Sequence, residues 1–166
     1  MKQTWMPFLV LPLVASAMLT TVSAQTAATP PQFQQFSVSR IYRGTPAAVN
    51  LNSNPGARRF RTALRDGAKK GPNFAGHYTV VTFGCGTSCQ SLAIVDAKTG
   101  AVYMTGVTAE VGAKFQINSQ LLVVNPPENI IQADPRSLTP QYYVWQNNRL
   151  RQIYPPKSDR ATSIST

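Results

Sequence analysis

The chain's single histidine and both of its cysteines fall within thirteen residues, at His77, Cys85 and Cys89 in the stretch NFAGHYTVVTFGCGTSCQS. Such side chains serve three chemistries: a thiol-disulfide redox pair, a metal centre, or a cysteine nucleophile activated by an imidazole. Each asks for something this spacing does not offer. A redox pair favours two residues between the cysteines and a helix N-terminus that lowers one thiol pKa, whereas here three residues intervene and the flanks read as strands. If the run from His77 is extended, the imidazole lies about 20 Å or more from the cysteines, too far to share a metal ion or to activate a thiol. The simpler expectation is a Cys85–Cys89 disulfide across a hairpin turning at Thr87. The ring is small, so loop closure contributes about 2 kcal/mol or less and the bond acts locally. Its expected effect is to preorganise an exposed tip, Gly84-Cys85-Gly86-Thr87-Ser88-Cys89, for binding. His77 reads as a packing or hydrogen-bonding residue at the strand start.

A disulfide presupposes an oxidising compartment, and the N-terminus predicts one. Met1-Lys2 is followed by an apolar run from Trp5 to Val14, then by small residues ending Val22-Ser23-Ala24. A basic start, a short apolar core broken by Pro7 and Pro12, and small cleavage residues predict a signal peptide over residues 1–24, cut after Ala24. The expected location is the periplasm or the extracellular space. Removal of the leader takes Lys2 from the 16 lysines and arginines and leaves all six acids, so the net charge falls from +10 to +9. That excess favours anionic partners. No run is long and apolar enough for a membrane span.

The elements that must position these residues follow from periodicity. Residues 25–39 are polar and rich in Gln, Thr and Pro and read as a flexible arm, as does the tail over 155–166; residues 40–154 form a single domain. Asn54-Pro55 opens a predicted helix that runs to about Lys69 and stops at Gly71-Pro72. At 100° per residue it places Ala57, Phe60, Ala63, Leu64 and Ala68 on one arc, with Arg58, Arg59, Arg65, Lys69 and Lys70 on the other. Strands are predicted over 77–83, 90–96, 101–105, 121–124, 142–145 and 150–154, joined by turns such as Ala97-Lys98-Thr99-Gly100 and Gln146-Asn147-Asn148-Arg149. The expected class is α+β, one amphipathic helix packed on an antiparallel sheet of about five to six strands arranged as hairpins and a meander.

Other enzyme signatures are missing: the sequence has no G-x-S-x-G elbow, no phosphate-binding loop and no H-E-x-x-H. Asp66, Asp96, Glu110, Glu128, Asp134 and Asp159 are its only acids, scattered over turns and element ends, so a carboxylate pair for sugar hydrolysis has no obvious source. No catalytic residue, metal site or cofactor is assigned.

The stretch from Phe60 to Tyr103 resembles the core of a family of small secreted bacterial proteins of unknown function. The motifs that carry the likeness are N-F-A-G-H-Y at Asn73 to Tyr78, G-C-G-x-x-C at Gly84 to Cys89 and D-x-x-T-G at Asp96 to Gly100. It covers residues 60 to 105, with weaker echoes in INSQLLVV and YYVWQNNRL. The resemblance implies a family and no activity. In its order of strand, closed tip and strand, YTVVTFGCGTSCQSLAIV is also similar to the periplasmic inhibitors of vertebrate-type lysozyme, small α+β proteins whose disulfide-closed tip enters the enzyme's cleft. It departs from them because Gly86-Thr87-Ser88 holds neither their histidine nor their acid, and a charge of +9 would repel a basic lysozyme.

These features favour a non-catalytic binding or inhibitory module that presents the Cys85–Cys89 tip and the basic helix face of Arg58, Arg59, Arg65, Lys69 and Lys70. The expected partner is a protein or an anionic cell-envelope polymer. Nucleic acid is disfavoured, because the one aromatic residue inside the basic run, Phe60, falls on the buried arc. The alternative is an exported thiol- or metal-dependent enzyme, or a redox protein, that uses Cys85, Cys89 and His77.

Overall fold

Strand β2 (Cys89–Asp96) contains Leu92-Ala93-Ile94-Val95, and β5 (Leu121–Val124) is apolar throughout; every one of these eight side chains is buried. Such a run, with no polar alternation, needs both faces of its sheet covered. A computed structural model, which describes residues 29–131 and 138–155, shows how this is met. β1 (Tyr78–Gly86), β2 and β3 (Val102–Ala109) form a three-stranded antiparallel sheet. β4 (Ala113–Phe115), β5, β6 (Gln141–Gln146) and β7 (Arg149–Tyr154) form a four-stranded one. The inner faces meet through Val80, Leu92 and Ile94 on the first sheet and Leu122, Val124 and Trp145 on the second.

Helix α1 (Arg61–Ala68) covers the outer face of the first sheet, setting Leu64 and Ala68 against Val81, Ala93, Val95 and Val102. The outer face of the second sheet, Leu121, Val123 and Tyr142, is covered by Phe33 and Phe36 from a short 3₁₀ turn at Phe33–Phe36. The α+β class and the helix-on-sheet packing are as the periodicity implies, but the strands among the described residues number seven and divide between two sheets. β4 is too short to carry a pattern. A second helical turn, α2 (Pro127–Ile130), is only four residues long.

Two boundaries differ from expectation. The helix does not start at Asn54-Pro55: the Asn54 Oδ1 accepts the Gly56 N–H at 3.0 Å in a local turn, and the chain makes a 3₁₀ turn over Ala57–Phe60 before α1 begins. The expected arm through residue 39 is anchored in its second half. The Ser119 hydroxyl donates to the Phe33 carbonyl at 2.8 Å and Val38 N–H donates to the Asn118 carbonyl at 2.8 Å, so the partial burial of Phe33 and Phe36 comes with paired backbone. The expected signal peptide and the part of the expected tail beyond residue 155 lie outside the described residues. Among the described residues, no helix is long and apolar enough to cross a membrane.

The N-F-A-G-H-Y motif has a folding role. The Asn73 side chain accepts the Val80 N–H at 2.8 Å and donates to the Val80 carbonyl at 3.3 Å, standing in for one more residue of the strand ladder. Phe74 and Tyr78 exchange backbone hydrogen bonds at 2.9 Å, which closes a tight loop and buries Phe74 completely. Within that loop Gly76 has φ +83°, and a Cβ there would strike the Arg40 carbonyl oxygen. Glycine is the residue that meets both constraints.

Candidate binding surface

The tip is built as its spacing implies. β1 and β2 pair in antiparallel register down to Gly84 opposite Gln90 and Gly86 opposite Cys89, leaving Thr87 and Ser88 as the turn. Cys85 and Cys89 form a disulfide with their Cα atoms 5.2 Å apart, and no described cysteine is free. Residues 84–88 are all exposed, and a side-chain carbon placed on Gly84 or Gly86 would meet nothing within 4 Å. The hairpin end therefore projects past the layers that bury its base.

One aromatic pair connects this end of the hairpin to the start of the helix. Phe83, two residues before Cys85, stacks on Phe60 with ring centroids 4.2 Å apart and planes at 28°. The Arg59 guanidinium lies 5.6 Å from the centre of the Phe60 ring, within cation-π range. The hairpin is thus buttressed one step below its tip, with a cation beside the buttress.

Of the five basic residues expected to share a face, Arg58, Arg65, Lys69 and Lys70 line adjoining hollows and Arg59 stands apart. Arg59 goes with Phe60 on the tip side. Arg58 and Arg65, joined by Arg61, line a groove of about 480 Å³ against Val49, Asn50 and Asn52. Lys69 and Lys70 line an adjoining groove of about 350 Å³ with Tyr42 and Arg43. Arg65 and Lys69, one α-helical turn apart, also share a hollow against Pro46, Ala47 and Val49. Arg61, which was not among the expected residues, lies between Arg58 and Arg65 along the first of these grooves.

His77 sits at the opposite end of β1 from the cysteines, so the residues that a thiol or metal enzyme would need are not brought together. Among the described residues, no group of three or more His, Cys, Asp or Glu is placed to hold a metal ion. His77 stacks on Tyr78 with centroids 4.1 Å apart, beside a cleft of about 550 Å³ that also involves Arg40, Lys98, Trp145 and Asn148. The Tyr78 hydroxyl donates to the Asn148 Oδ1 at 3.1 Å. The local sequence around His77 does not disclose this cleft, because Trp145 and Asn148 come from the β6–β7 hairpin, far along the chain.

Burial lowers the His77 pKa below its ordinary 6.5; Asp96 pulls it up and Lys98 adds to the lowering. Because the folded-state value is depressed, the unfolded chain takes the proton first, so the stability contribution is fully present above about pH 6.5 and is lost as pH falls through the folded value. Thermal melts between pH 8 and pH 5 should show this decline, and His77→Gln should flatten it. A wild-type slope retained in the variant would assign the decline to other groups.

Fold and surface together define a class: an α+β sandwich with a disulfide-closed hairpin tip and a cationic helix on its outer face. Compared with protein-family models, with curated proteins and with solved structures, the chain matches none of them.

Proposed function

We propose that this protein is an exported, non-catalytic binding module whose Cys85–Cys89 tip is the recognition element and whose partner is a protein or an anionic envelope polymer. The observation that carries the reading is a bond placed where it does little for the fold: it closes a ring of five residues at an exposed hairpin end with nothing packed over Gly84 or Gly86. Constraining a loop in advance lowers the ordering cost of association. Arg59, held over Phe60 beside the Phe83 buttress, adds a cation near the tip.

The leader sequence, cleaved after Ala24, supports export, and a disulfide between the only two cysteines of the chain is compatible with an oxidising compartment. The N-F-A-G-H-Y, G-C-G-x-x-C and D-x-x-T-G motifs support placing the chain among the small secreted bacterial proteins it resembles. That placement adds no activity to the reading.

Replacement of both cysteines by serine tests it. The double variant should melt cooperatively and lose about 2 kcal/mol or less, the small-ring limit of loop closure. As immobilised bait in an envelope extract, it should capture at least tenfold less of whatever the wild-type domain retains, by quantitative mass spectrometry. Equal capture by the two baits rules out the tip as the recognition element, and a loss of stability well above the small-ring limit makes the bond a fold staple instead.

A further inference from the structure

Six of the chain's lysines and arginines fall between residues 58 and 70, against one acid, Asp66. Three of them act together. Arg58 belongs to the 3₁₀ turn, Arg61 opens α1 three residues later, and Arg65 lies one α-helical turn further on, displaced by about 40° from Arg61. All three line the same groove, and its opposite wall is the segment from Val49 to Asn52.

That wall is rigidly held. Asn50 N–H donates to the Gly100 carbonyl at 2.8 Å and Ala47 N–H to the Ala97 carbonyl at 2.8 Å, while the Ser53 hydroxyl accepts the Val102 N–H at 2.8 Å. The Arg58 guanidinium reaches across and donates to the Asn52 Oδ1 at 2.6 Å, which orients it over the groove without neutralising it. The groove does not end at Arg65. It continues past Arg65 and Lys69 as a hollow of about 290 Å³ against Pro46 and Ala47, and then into the groove of Lys69, Lys70 and Arg43. Along α1, from Arg61 to Ala68, the furrow follows the helix for about 10 Å at 1.5 Å per residue.

No carboxylate lines any part of it. Among the described residues the ion pairs are Lys69–Asp66 and Lys114–Glu128, both exposed, so the three arginines have no internal counter-charge. A row of cations facing a pinned wall, with like charges one helical turn apart, is an arrangement that a linear polyanion completes.

The chemistry of the lining selects among polyanions. Phe60 is turned inward onto Phe83, so nucleobases would find no aromatic stacking surface beside Arg58, Arg61 and Arg65; the one aromatic lining the furrow, Tyr42, lies at its far end with Lys69 and Lys70. The wall instead presents the amide side chains of Asn50 and Asn52 beside the apolar Val49 and Pro46, which suit the hydroxyls and C–H faces of pyranose rings. Guanidinium forks pair with planar carboxylates in bidentate fashion. We propose that the furrow between α1 and residues 46–52 binds a linear acidic polysaccharide whose repeats carry a carboxylate, with Arg58, Arg61 and Arg65 as the carboxylate contacts. This rests on the reading of the protein as a binding module, and it names a surface separate from the tip.

The probe is hexagalacturonate, titrated calorimetrically into the chain from Gln25 onward at low and at physiological salt. Wild type should bind it, more weakly as salt rises, and should not bind maltohexaose, a neutral hexasaccharide. Arg58→Gln/Arg61→Gln/Arg65→Gln should weaken binding at least tenfold while still melting cooperatively. Arg61→Gln alone, which leaves the Arg58–Asn52 hydrogen bond in place, should weaken it several-fold and keeps the test open if the triple variant fails to fold. Arg40→Gln/Arg149→Gln/Arg151→Gln, which removes the same charge elsewhere, should bind as wild type does.

An equal loss in that control variant would overturn the site in favour of non-specific attraction, and tighter arginine-dependent binding of a charge-matched oligothymidylate would overturn the polysaccharide. The Cys85→Ser/Cys89→Ser variant separates this proposal from the tip. Should that variant lose its captured partner while wild type ignores hexagalacturonate, the furrow fails and the recognition tip stands. Hexagalacturonate binding together with equal capture by both baits would leave the furrow and remove the tip.

Discussion

Replacing Trp145 with alanine should cost about 3 to 5 kcal/mol, the range for emptying a large buried aromatic site, and lower the melting temperature by about 10 to 20 °C. Trp145 is 2 % exposed and sits where the two sheets meet. Its ring makes edge contacts with Tyr78 at 5.2 Å and Tyr103 at 5.4 Å, so one side chain of β6 touches both β1 and β3. Aromatic pairs of this geometry add to simple burial, and their loss cannot be refilled by the fixed backbone around them. Trp145→Phe keeps an aromatic ring there and should lose less than half as much. The measurement is urea unfolding followed by far-UV circular dichroism. In the chain from Gln25 onward, Trp145 is the sole tryptophan, so its fluorescence reports this joint directly. A loss below about 1 kcal/mol in the alanine variant would mean that the sheets do not depend on this contact.

Gly100→Ala should be the second most damaging of the changes considered. Gly100 closes the Asp96–Gly100 turn with φ +75°, a conformation that costs an L-residue about 1 to 2 kcal/mol. The added Cβ would also land on the Ala48 carbonyl oxygen, well inside van der Waals contact, and would come within 3.2 Å of the Asn50 nitrogen. Backbone atoms cannot swing aside as a flexible side chain can, so residues 47–50 must move off the turn. The combined expectation is a loss of about 2 to 4 kcal/mol. The shift would disturb the Asn50 to Gly100 hydrogen bond that pins the furrow wall, so hexagalacturonate binding should fall with it. Gly84→Ala is the matched control: its Cβ would enter open space, and its stability should stay within about 0.5 kcal/mol of wild type. Equal stability of the two variants in the same urea titration would contradict the close approach of residue 48 to residue 100.

The contrast between these two glycines shows how unevenly the sequence could be read. In the string, Gly84 and Gly100 are alike, each closing a predicted turn. One faces solvent and the other faces a backbone carbonyl contributed by a segment some fifty residues earlier, a difference no local pattern encodes. The same division runs through the candidate site. The disulfide was legible because both partners belong to one hairpin and the chain contains no other cysteine. The buried arc of Ala57, Leu64 and Ala68 was legible because helical periodicity reports which side is apolar, whatever that side packs against. The basic residues were visible as charges on one side of the helix, but the wall they face was not. Their grouping depends on what stands opposite each side chain.

By itself, then, the sequence determined what local chemistry can determine: the α+β class, the helix and its apolar face, the six longer strands, and the Asn147-Asn148 and Asp96–Gly100 turns. It also determined the Cys85–Cys89 bond. Each of these depends on interactions between residues close along the chain, where backbone geometry sets the spacing. Tertiary structure alone decided that the strands divide into two sheets, that Phe33 and Phe36 close the outer layer, and that Trp145 meets Tyr78 and Tyr103. It likewise decided that Arg58, Arg61 and Arg65 face a wall pinned to the 96–100 turn. Burial on both faces of β2 and β5 drives these pairings, and continuous apolar runs such as Leu92 to Val95 state that both faces must be covered without stating by what.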